Sequence, residues 1–304
     1  MEKVIKIGTR DSDLALFQAK TVQKKLTDLG YQTELIPVKS TGDIVLDKPL
    51  YELGITGIFT KTLDVAMLNG TVDIAVHSMK DVPTLLPKGI QQTAVLKRAS
   101  TLDILVHKRL SFLENTGTIA TGSLRRKAQW LNKYPKHQVV DLRGNVNLRL
   151  QKLEDNTWDG AIFAKAGLER IEVLPKNYIN LDWMIPAPAQ GAMVVHTMMN
   201  DNFCTEALQK LNDKDTDICT TIERDFLRTL EGGCTAPIGA LAIIEKNEVL
   251  FKGVLFSLDG SRKIEINKSI SLDNKTNFGA ICAREILENG GIDLMKEIKD
   301  KMKR

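Results

Sequence analysis

Arginines recur in this 304-residue sequence directly after short apolar runs of the kind that form strands. Arginine binds carboxylates and phosphates through two parallel hydrogen bonds. Positive side chains are unfavourable in the first turn of a helix, so two adjacent arginines there indicate an anion to be bound. The pattern predicts a site for a ligand with several negative charges. The cationic residues after three successive predicted strands are Arg125 and Arg126, then Arg143 and Arg149, then Lys165 and Arg170.

A carboxylate lies in the segment 77–83, at the end of another predicted strand. Pro83 favours an extended backbone at Val82, so the loop presents Lys80 and Asp81 together. An aspartate at this position can act as a general acid or base. A polar turn without a catalytic role explains the same residues equally well.

Arg10 follows the first predicted strand and precedes a predicted helix. Ser12 or Asp13 can cap that helix, which leaves backbone N–H groups that favour an anion. For this segment taken alone, an ordinary helix cap beside a solvated arginine is the simpler explanation.

Cys234 lies in a glycine-rich loop that begins at Glu231. A cysteine is usually a small buried apolar residue, but the two glycines before this one indicate close backbone approach or exposure. His77 is the one histidine whose position at a strand end would suit catalysis. Packing of its side chain at that strand end is the simpler interpretation. Because no histidine partner for Cys234 is identified, a Cys–His hydrolase is a weak alternative.

Strand and helix patterns alternate along the first two thirds of the chain, which predicts two αβ lobes with mixed, mostly parallel sheets. The apolar segment 193–196 follows a proline-rich linker and can return to the first sheet. From about residue 214, a helix, two or three strands and two further helices predict a small C-terminal α+β domain. The other predicted strands are 4–7, 33–38, 72–77, 118–120, 139–142 and 160–164.

Composition excludes several classes of protein. The 42 Lys and Arg residues against 38 Asp and Glu give a net charge of +4, too small for a dedicated nucleic-acid binder. No apolar run reaches the roughly 18 residues of a membrane helix. The first residues also lack a signal-peptide pattern, so we expect a cytoplasmic protein without membrane contact.

The four cysteines include no Cys-x-x-Cys pair, so they predict neither disulfides nor a metal site. The sequence also lacks the glycine-rich signatures of phosphate-binding loops, which disfavours a nucleotide ligand.

Several motifs, taken in order, resemble the hydroxymethylbilane synthase (porphobilinogen deaminase) family over nearly the whole chain. The resemblance implies a transferase of porphyrin and heme biosynthesis. Such an enzyme condenses four porphobilinogen molecules head to tail into the linear tetrapyrrole hydroxymethylbilane and releases four ammonias. The resemblance also implies a monomer of three domains, two of them similar to periplasmic binding proteins. The matching motifs are residues 8–18, 77–84, 123–126, 142–146, 166–168, 190–191 and 230–234.

The resemblance further implies a dipyrromethane cofactor, joined through a thioether to Cys234, and a catalytic role for Asp81. Each pyrrole ring of a growing chain carries an acetate and a propionate, and the arginines can bind these carboxylates. The implied cofactor-binding residues are Cys234, Lys80, Asp81, Ser123, Arg125, Arg126 and Arg143. The implied substrate-binding residues are Arg10, Ser12, Gln18, Arg149, Arg170 and Gln190. The expected domains are residues 1–97 with about 190–211, residues 98–189, and residues 212–304.

The chain departs from the family pattern at several positions. Thr56 occupies a loop position where lysine is usual, and His196 stands where glutamate is usual. Thr235 and Ala236 follow the cysteine in place of Gln-Val, and Ala189 replaces a glycine. Every motif carboxylate, arginine and cysteine is retained, so these changes bear on loop behaviour and efficiency rather than on the reaction.

The alternative from another class is a non-catalytic protein of the periplasmic-binding type that binds polycarboxylates or other anions. It would explain two αβ lobes with arginines at the strand ends. It would not explain Cys234 in its glycine-rich loop, and the expected absence of a signal peptide speaks against it.

Overall fold

The computed structural model describes residues 3–39, 60–230 and 236–302. These residues fall into two compact units. The first unit holds residues 3–39, 60–99 and 191–218, and the second unit holds residues 100–190, 219–230 and 236–302. Cys234 and the loop that contains Thr56 lie outside the described residues. The three-domain division stays a prediction.

Short strands alternate with helices through most of the described chain. The strands are β1 (Ile5–Thr9), β2 (Thr33–Pro37), β3 (Ile74–Ser78), β4 (Ile90–Val95), β5 (Asp103–His107), β6 (Thr118–Ala120), β7 (Gln138–Val140), β8 (Gly160–Ala164), β9 (Tyr178–Asn180), β10 (Met193–Met198), β11 (Ile238–Glu245), β12 (Glu248–Phe256) and β13 (Lys263–Ser271). The helices are α1 (Asp13–Asp28), α2 (Lys61–Leu68), α3 (Leu124–Lys133), α4 (Val146–Asp155), α5 (Lys165–Arg170), α6 (Asn202–Gln209), α7 (Lys214–Thr229), α8 (Phe278–Ile286) and α9 (Ile292–Met302).

The sheet of the first unit has the strand order β2-β1-β3-β10-β4. β1 is parallel to β2 and β3, whereas β10 is antiparallel to β3 and β4. The predicted return of residues 193–196 to the first sheet is confirmed. Apolar residues of α1 and α6 pack on one face of this sheet, and those of α2 pack on the other. Because β1 and β3 run the same way, the loops that follow them begin at one edge of the sheet.

The larger sheet of the second unit has the order β7-β6-β8-β5-β9. β6 is parallel to β7 and β8, and β5 is antiparallel to β8 and β9. Trp130 of α3 is fully buried against one face, while Leu153 of α4 and Leu168 of α5 are buried against the other. The second αβ lobe is therefore confirmed, and the cationic segments after β6, β7 and β8 begin at one edge.

The C-terminal part of the second unit contains the antiparallel sheet β11-β12-β13. The ring of Phe251 lies 5.1 Å from that of Phe226 on α7 and 6.0 Å from that of Phe278 on α8. A Cβ at Gly279 would lie 2.0 Å from the carbonyl oxygen of Ile222, so glycine is what lets α8 approach α7 this closely. The predicted α+β character of this region is confirmed.

Candidate functional site

A small cavity opens at the carboxyl ends of β1 and β3 in the first unit, with a volume of about 60 Å³. Its lining includes Arg10, Ser12, Gln18, His77 and Asp81. The structure thus brings the carboxylate implied as catalytic together with three residues implied as substrate-binding. Lys80 precedes Asp81 in the chain and is half-buried.

A 3-10 turn, Met79–Asp81, follows β3 and places Asp81 at this cavity. The N–H of Met79 donates to the carbonyl oxygen of Ala192 (3.0 Å), and the N–H of Val82 donates to the carbonyl oxygen of Met79 (3.2 Å). Val82 is extended (φ −82°, ψ 130°), as its following proline predicts. The turn therefore presents a half-buried carboxylate, an acceptor for N–H donors, from a fixed backbone.

Gln18 connects α1 to the start of this turn. Its side chain is 2% exposed, and its Nε2 donates to the Oγ of Ser78 at 2.7 Å. Ser78 is the last residue of β3, directly before the turn that carries Asp81. The sequence indicates Gln18 but not its partner, because 60 residues separate the two and no local spacing relates them.

Ser12 occupies the N-cap position of α1, and its carbonyl oxygen accepts a hydrogen bond of 2.9 Å from the N–H of Leu16. The predicted cap position is confirmed at Ser12, but the side chain of Ser12 makes no capping hydrogen bond. The side chain lines the cavity beside Arg10 instead. A guanidinium group at the N-terminus of a helix makes this end of the cavity favourable for an anion.

His77 is buried, as its predicted packing at the strand end requires. Burial holds the pKa of His77 well below its usual range, and the side chains of His196 and Arg10 lower it further. The imidazole is therefore neutral at neutral pH and adds no positive charge to the cavity.

Asp64 on α2 is also buried. Burial raises its pKa to about 6, although a hydrogen bond with Thr60 acts to lower it.

In the second unit, Arg125 and Arg126 both bind Asp103, the first residue of β5. Nη1 of Arg125 lies 2.7 Å from Oδ2 of Asp103, and Nε of Arg126 lies 2.9 Å from Oδ1. All three side chains are buried. Burial alone would raise the pKa of Asp103, but the two guanidinium groups hold it well below its usual range. A carboxylate of the chain itself, Asp103, is therefore one anion that these arginines bind, and no motif in the sequence indicates it.

Gln190 belongs to the same buried network. Its Nε2 donates to Oδ1 of Asp103 (3.0 Å) and to the carbonyl oxygen of Thr101 (2.8 Å). Ala189 has a left-handed backbone, with φ 61°, and its N–H donates to Oε2 of Glu223 at 2.6 Å. No motif in the sequence indicates Glu223. An isolated acidic residue at the start of an apolar strand is the signal that could have indicated Asp103.

Ser123 is the N-cap of α3, where its hydroxyl accepts a hydrogen bond from the N–H of Arg126 at 3.4 Å. A Cβ at Gly122 would lie 2.5 Å from the carbonyl oxygen of Leu142. Only glycine therefore allows the loops after β6 and β7 to approach this closely. The contact places Ser123 and Arg143 at the same edge of the sheet.

The remaining predicted arginines follow β7 and β8. Nε of Arg149 donates to the carbonyl oxygen of Gly144 at 2.7 Å. Burial lowers the pKa of Arg143 and of Arg170, but a guanidinium group keeps its charge at neutral pH. The structure thus confirms that cations follow three parallel strands of one sheet, β6, β7 and β8.

Cysteines other than Cys234 are poor candidates for chemistry. Cys204, Cys219 and Cys282 are buried. Burial raises the pKa of Cys204 to about 12 and that of Cys282 to about 11. Since the thiolate is the reactive form, these thiols are unreactive at neutral pH.

Comparison with known proteins identifies the family. Residues 5–206 match the family model described as "Porphobilinogen deaminase, dipyromethane cofactor binding domain", and residues 218–288 match "Porphobilinogen deaminase, C-terminal domain". The chain belongs to the porphobilinogen deaminase family. It is 40% identical over 304 residues to the porphobilinogen deaminase of Campylobacter hominis, which covers 97% of this chain and 98% of the relative. It is 39% identical over 302 residues to that of Desulfitobacterium hafniense, with 97% of each chain covered.

Membership in the porphobilinogen deaminase family confirms the resemblance found in the motifs. The chain is a hydroxymethylbilane synthase, a transferase of porphyrin biosynthesis that uses a dipyrromethane cofactor. The cationic residues at the strand ends fit such a group, because dipyrromethane carries several carboxylates. The non-catalytic binding protein is not favoured.

The solved structures that align with this chain are less similar to it than the relatives above. The periplasmic VFT2 domain of BvgS from Bordetella pertussis aligns at 13% identity with a TM-score of 0.43, over 68% of this chain and 86% of that one. A probable amino-acid ABC transporter binding protein from Bacillus subtilis aligns at 12% identity with a TM-score of 0.43, over 69% of this chain and 91% of that one. Such scores are too low to bear on fold or function. Within the described ranges, no helix is both long and apolar enough to cross a membrane.

Proposed function

We propose that Asp81 is the catalytic carboxylate of this synthase and that Cys234 carries the dipyrromethane through a thioether. The observation that supports Asp81 is its cavity, which Arg10 and Ser12 also line. A carboxylate there can accept the pyrrole N–H of porphobilinogen. The arginine and the helix N-terminus beside it suit the acetate and propionate of the same molecule.

The reaction requires stabilisation of a positive charge. The protonated amine of porphobilinogen leaves as ammonia and takes the electrons of the C–N bond, so the remaining pyrrole is a cation. Asp81 stabilises that cation by charge and by accepting its N–H. When bound, dipyrromethane supplies the free α-carbon that forms the new carbon–carbon bond. Asp81 would take up the proton that is released when this bond forms.

The remaining assignments concern carboxylate binding. Nε of Arg125 is buried and has no hydrogen-bond partner in the part of the chain that the structure describes, which supports a role toward a ligand. Since a guanidinium group has five N–H donors, binding of Asp103 leaves others for an external carboxylate. The proposed cofactor-binding residues besides Asp81 and Cys234 are Lys80, Ser123, Arg125, Arg126 and Arg143. The proposed substrate-binding residues are Arg10, Ser12, Gln18, Arg149, Arg170 and Gln190.

The Asp81→Asn variant tests the catalytic assignment. We expect it to keep the covalent cofactor, seen as intact mass, and to lose at least about 100-fold in turnover, the usual range for acid–base and charge roles. Asp28→Asn, which changes an exposed carboxylate on α1, is the matched control. An Asp81→Asn rate within a few-fold of wild type would show that another group acts.

We also infer that the chain works as a cytoplasmic monomer. The inference draws on composition and on the family resemblance. Sedimentation equilibrium of the purified chain should return a mass near 33.9 kDa. A stable mass of twice that value would contradict the monomer.

A further inference from the structure

Two histidines and an aspartate meet on the α2 side of the sheet in the first unit. In the antiparallel pair of β3 and β10, His77 lies opposite Val194, and His196 lies opposite Ala75. The two histidines are thus on one face, and their ring centroids are 5.0 Å apart. Helix α2, which packs on this face, contributes Asp64.

All three side chains are more than nine-tenths buried: Asp64 is 7% exposed, His77 is 5% exposed and His196 is 1% exposed. One possible ligand atom from each lies within 4.8 Å of the other two. In the described part of the chain, Oδ1 of Asp64 and Nε2 of His77 have no hydrogen-bond partner. A buried polar atom without a partner is costly, and it calls for a bound water or ion.

We propose that Asp64, His77 and His196 bind one Zn²⁺ ion. Two imidazoles and a carboxylate are a ligand set that zinc accepts, whereas Mg²⁺ and Ca²⁺ prefer oxygen ligands throughout. Zinc bonds of roughly 2.0–2.1 Å in a tetrahedron place ligand atoms about 3.4 Å apart. Side-chain shifts of about one ångström therefore close the observed cluster around an ion. Thr60, which hydrogen-bonds Asp64, holds the carboxylate from outside the site.

The sequence predicts no metal site, because Asp64, His77 and His196 have no motif spacing. The fold creates the cluster by pairing β10 with β3 beneath α2. The ion would connect that helix to both strands, next to the cavity that His77 also lines. Its expected effect is structural: zinc binding raises the melting temperature of the chain, because the ion binds only the folded state.

Metal titration of the full, cofactor-loaded chain tests the site. The purified protein is stripped with a chelator and titrated with Zn²⁺ against a chromophoric competitor, with the metal content measured after dialysis. We expect one ion per chain, a rise in melting temperature, and affinity at least about tenfold weaker in Asp64→Asn and in His196→Gln. His107→Gln, a half-buried histidine outside the cluster, should bind zinc as wild type does.

Cobalt substitution distinguishes this cluster from a thiol site. Co²⁺ bound by Asp64, His77 and His196 should show visible d–d bands without a thiolate-to-cobalt charge-transfer band. A thiolate band, no binding at one equivalent, or unchanged affinity in both folded variants would each overturn the proposal. Circular dichroism confirms that the variants are folded, and since metal content does not depend on turnover, the result is independent of the Asp81 assignment.

Discussion

Gln190 donates a hydrogen bond of 3.0 Å to Oδ1 of Asp103, the same oxygen that accepts from Nε of Arg126. Arg125 binds the other oxygen, so both oxygens of the buried carboxylate are used. A buried charge is costly unless opposite charges and hydrogen bonds compensate it. One carboxylate therefore holds the linker residue Gln190 and two arginines of α3 to the sheet of the second unit.

The Asp103→Asn variant should be strongly destabilised. Removing this charge leaves Arg125 and Arg126 buried without their counter-ion, which costs about 3–5 kcal/mol when one partner of a buried pair is lost. Urea unfolding, followed by circular dichroism, measures the change. Asp182→Asn, an exposed aspartate of the same unit, should stay within about 0.5 kcal/mol of wild type.

The contribution of Asp103 should disappear in acid. The pKa of Asp103 is lower in the folded chain than its ordinary value of 3.8, so the unfolded chain takes up the proton first as the pH falls. Its stabilisation is therefore fully present above roughly pH 5 and declines progressively below pH 4. We expect the difference in unfolding free energy between wild type and Asp103→Asn to shrink between about pH 5 and pH 3. A constant difference over that range would contradict the pairing.

Glu223 should stabilise the segment that contains Ala189 and Gln190. Its Oε2 accepts from the N–H of Ala189 (2.6 Å) and its Oε1 accepts from the N–H of Ala242 (2.7 Å). In Glu223→Gln one of these oxygens becomes an NH₂ donor that faces another donor. We expect a loss of about 1–3 kcal/mol in unfolding free energy. The matched change Glu245→Gln, at an exposed residue that ends β11, should have little effect, and equal losses in the two variants would argue against this role.

The hydrogen bond between Gln18 and Ser78 should position the Asp81 turn. Without it the turn can shift, and displacement of a reacting group by about 1 Å can cost up to about 100-fold in rate. We expect Gln18→Leu and Ser78→Ala each to lower turnover by about tenfold. The double variant should be no slower than the slower single one, because both changes remove the same contact. Gln23→Leu on the same helix is the control, and additive losses would contradict the coupling.

The sequence predicts local elements well. The strands Thr118–Ala120 and Gly160–Ala164 occur with the predicted bounds, and the segment 193–196 joins the first sheet. Strand β4 is not predicted because three polar residues, 91–93, interrupt its apolar pattern, and β5, which begins at Asp103, is not predicted either. The short strand β9 offers too few residues for a period to be recognised.

Residues that line the cavity were predictable where they follow a strand directly, as Arg10 and Asp81 do. Asp103 was not, because its partners lie 22, 23 and 87 residues away, and only the folded sheet brings them together. The same reason hides the pairing of Gln18 with Ser78. Local sequence spacing does not indicate which distant residues will be in contact, although each polar residue can be recognised by its type.

The intact mass of the purified, denatured and reduced chain, measured beside the Cys234→Ser variant, tests the central claim most directly. We expect the wild-type chain to exceed its sequence mass by two linked pyrrole units and the variant to carry no such excess. Added porphobilinogen should then extend the wild-type chain in single-unit steps. The same excess on Cys234→Ser would contradict attachment at that residue. A wild-type mass that stays unmodified after incubation with porphobilinogen or hydroxymethylbilane would contradict the covalent cofactor itself.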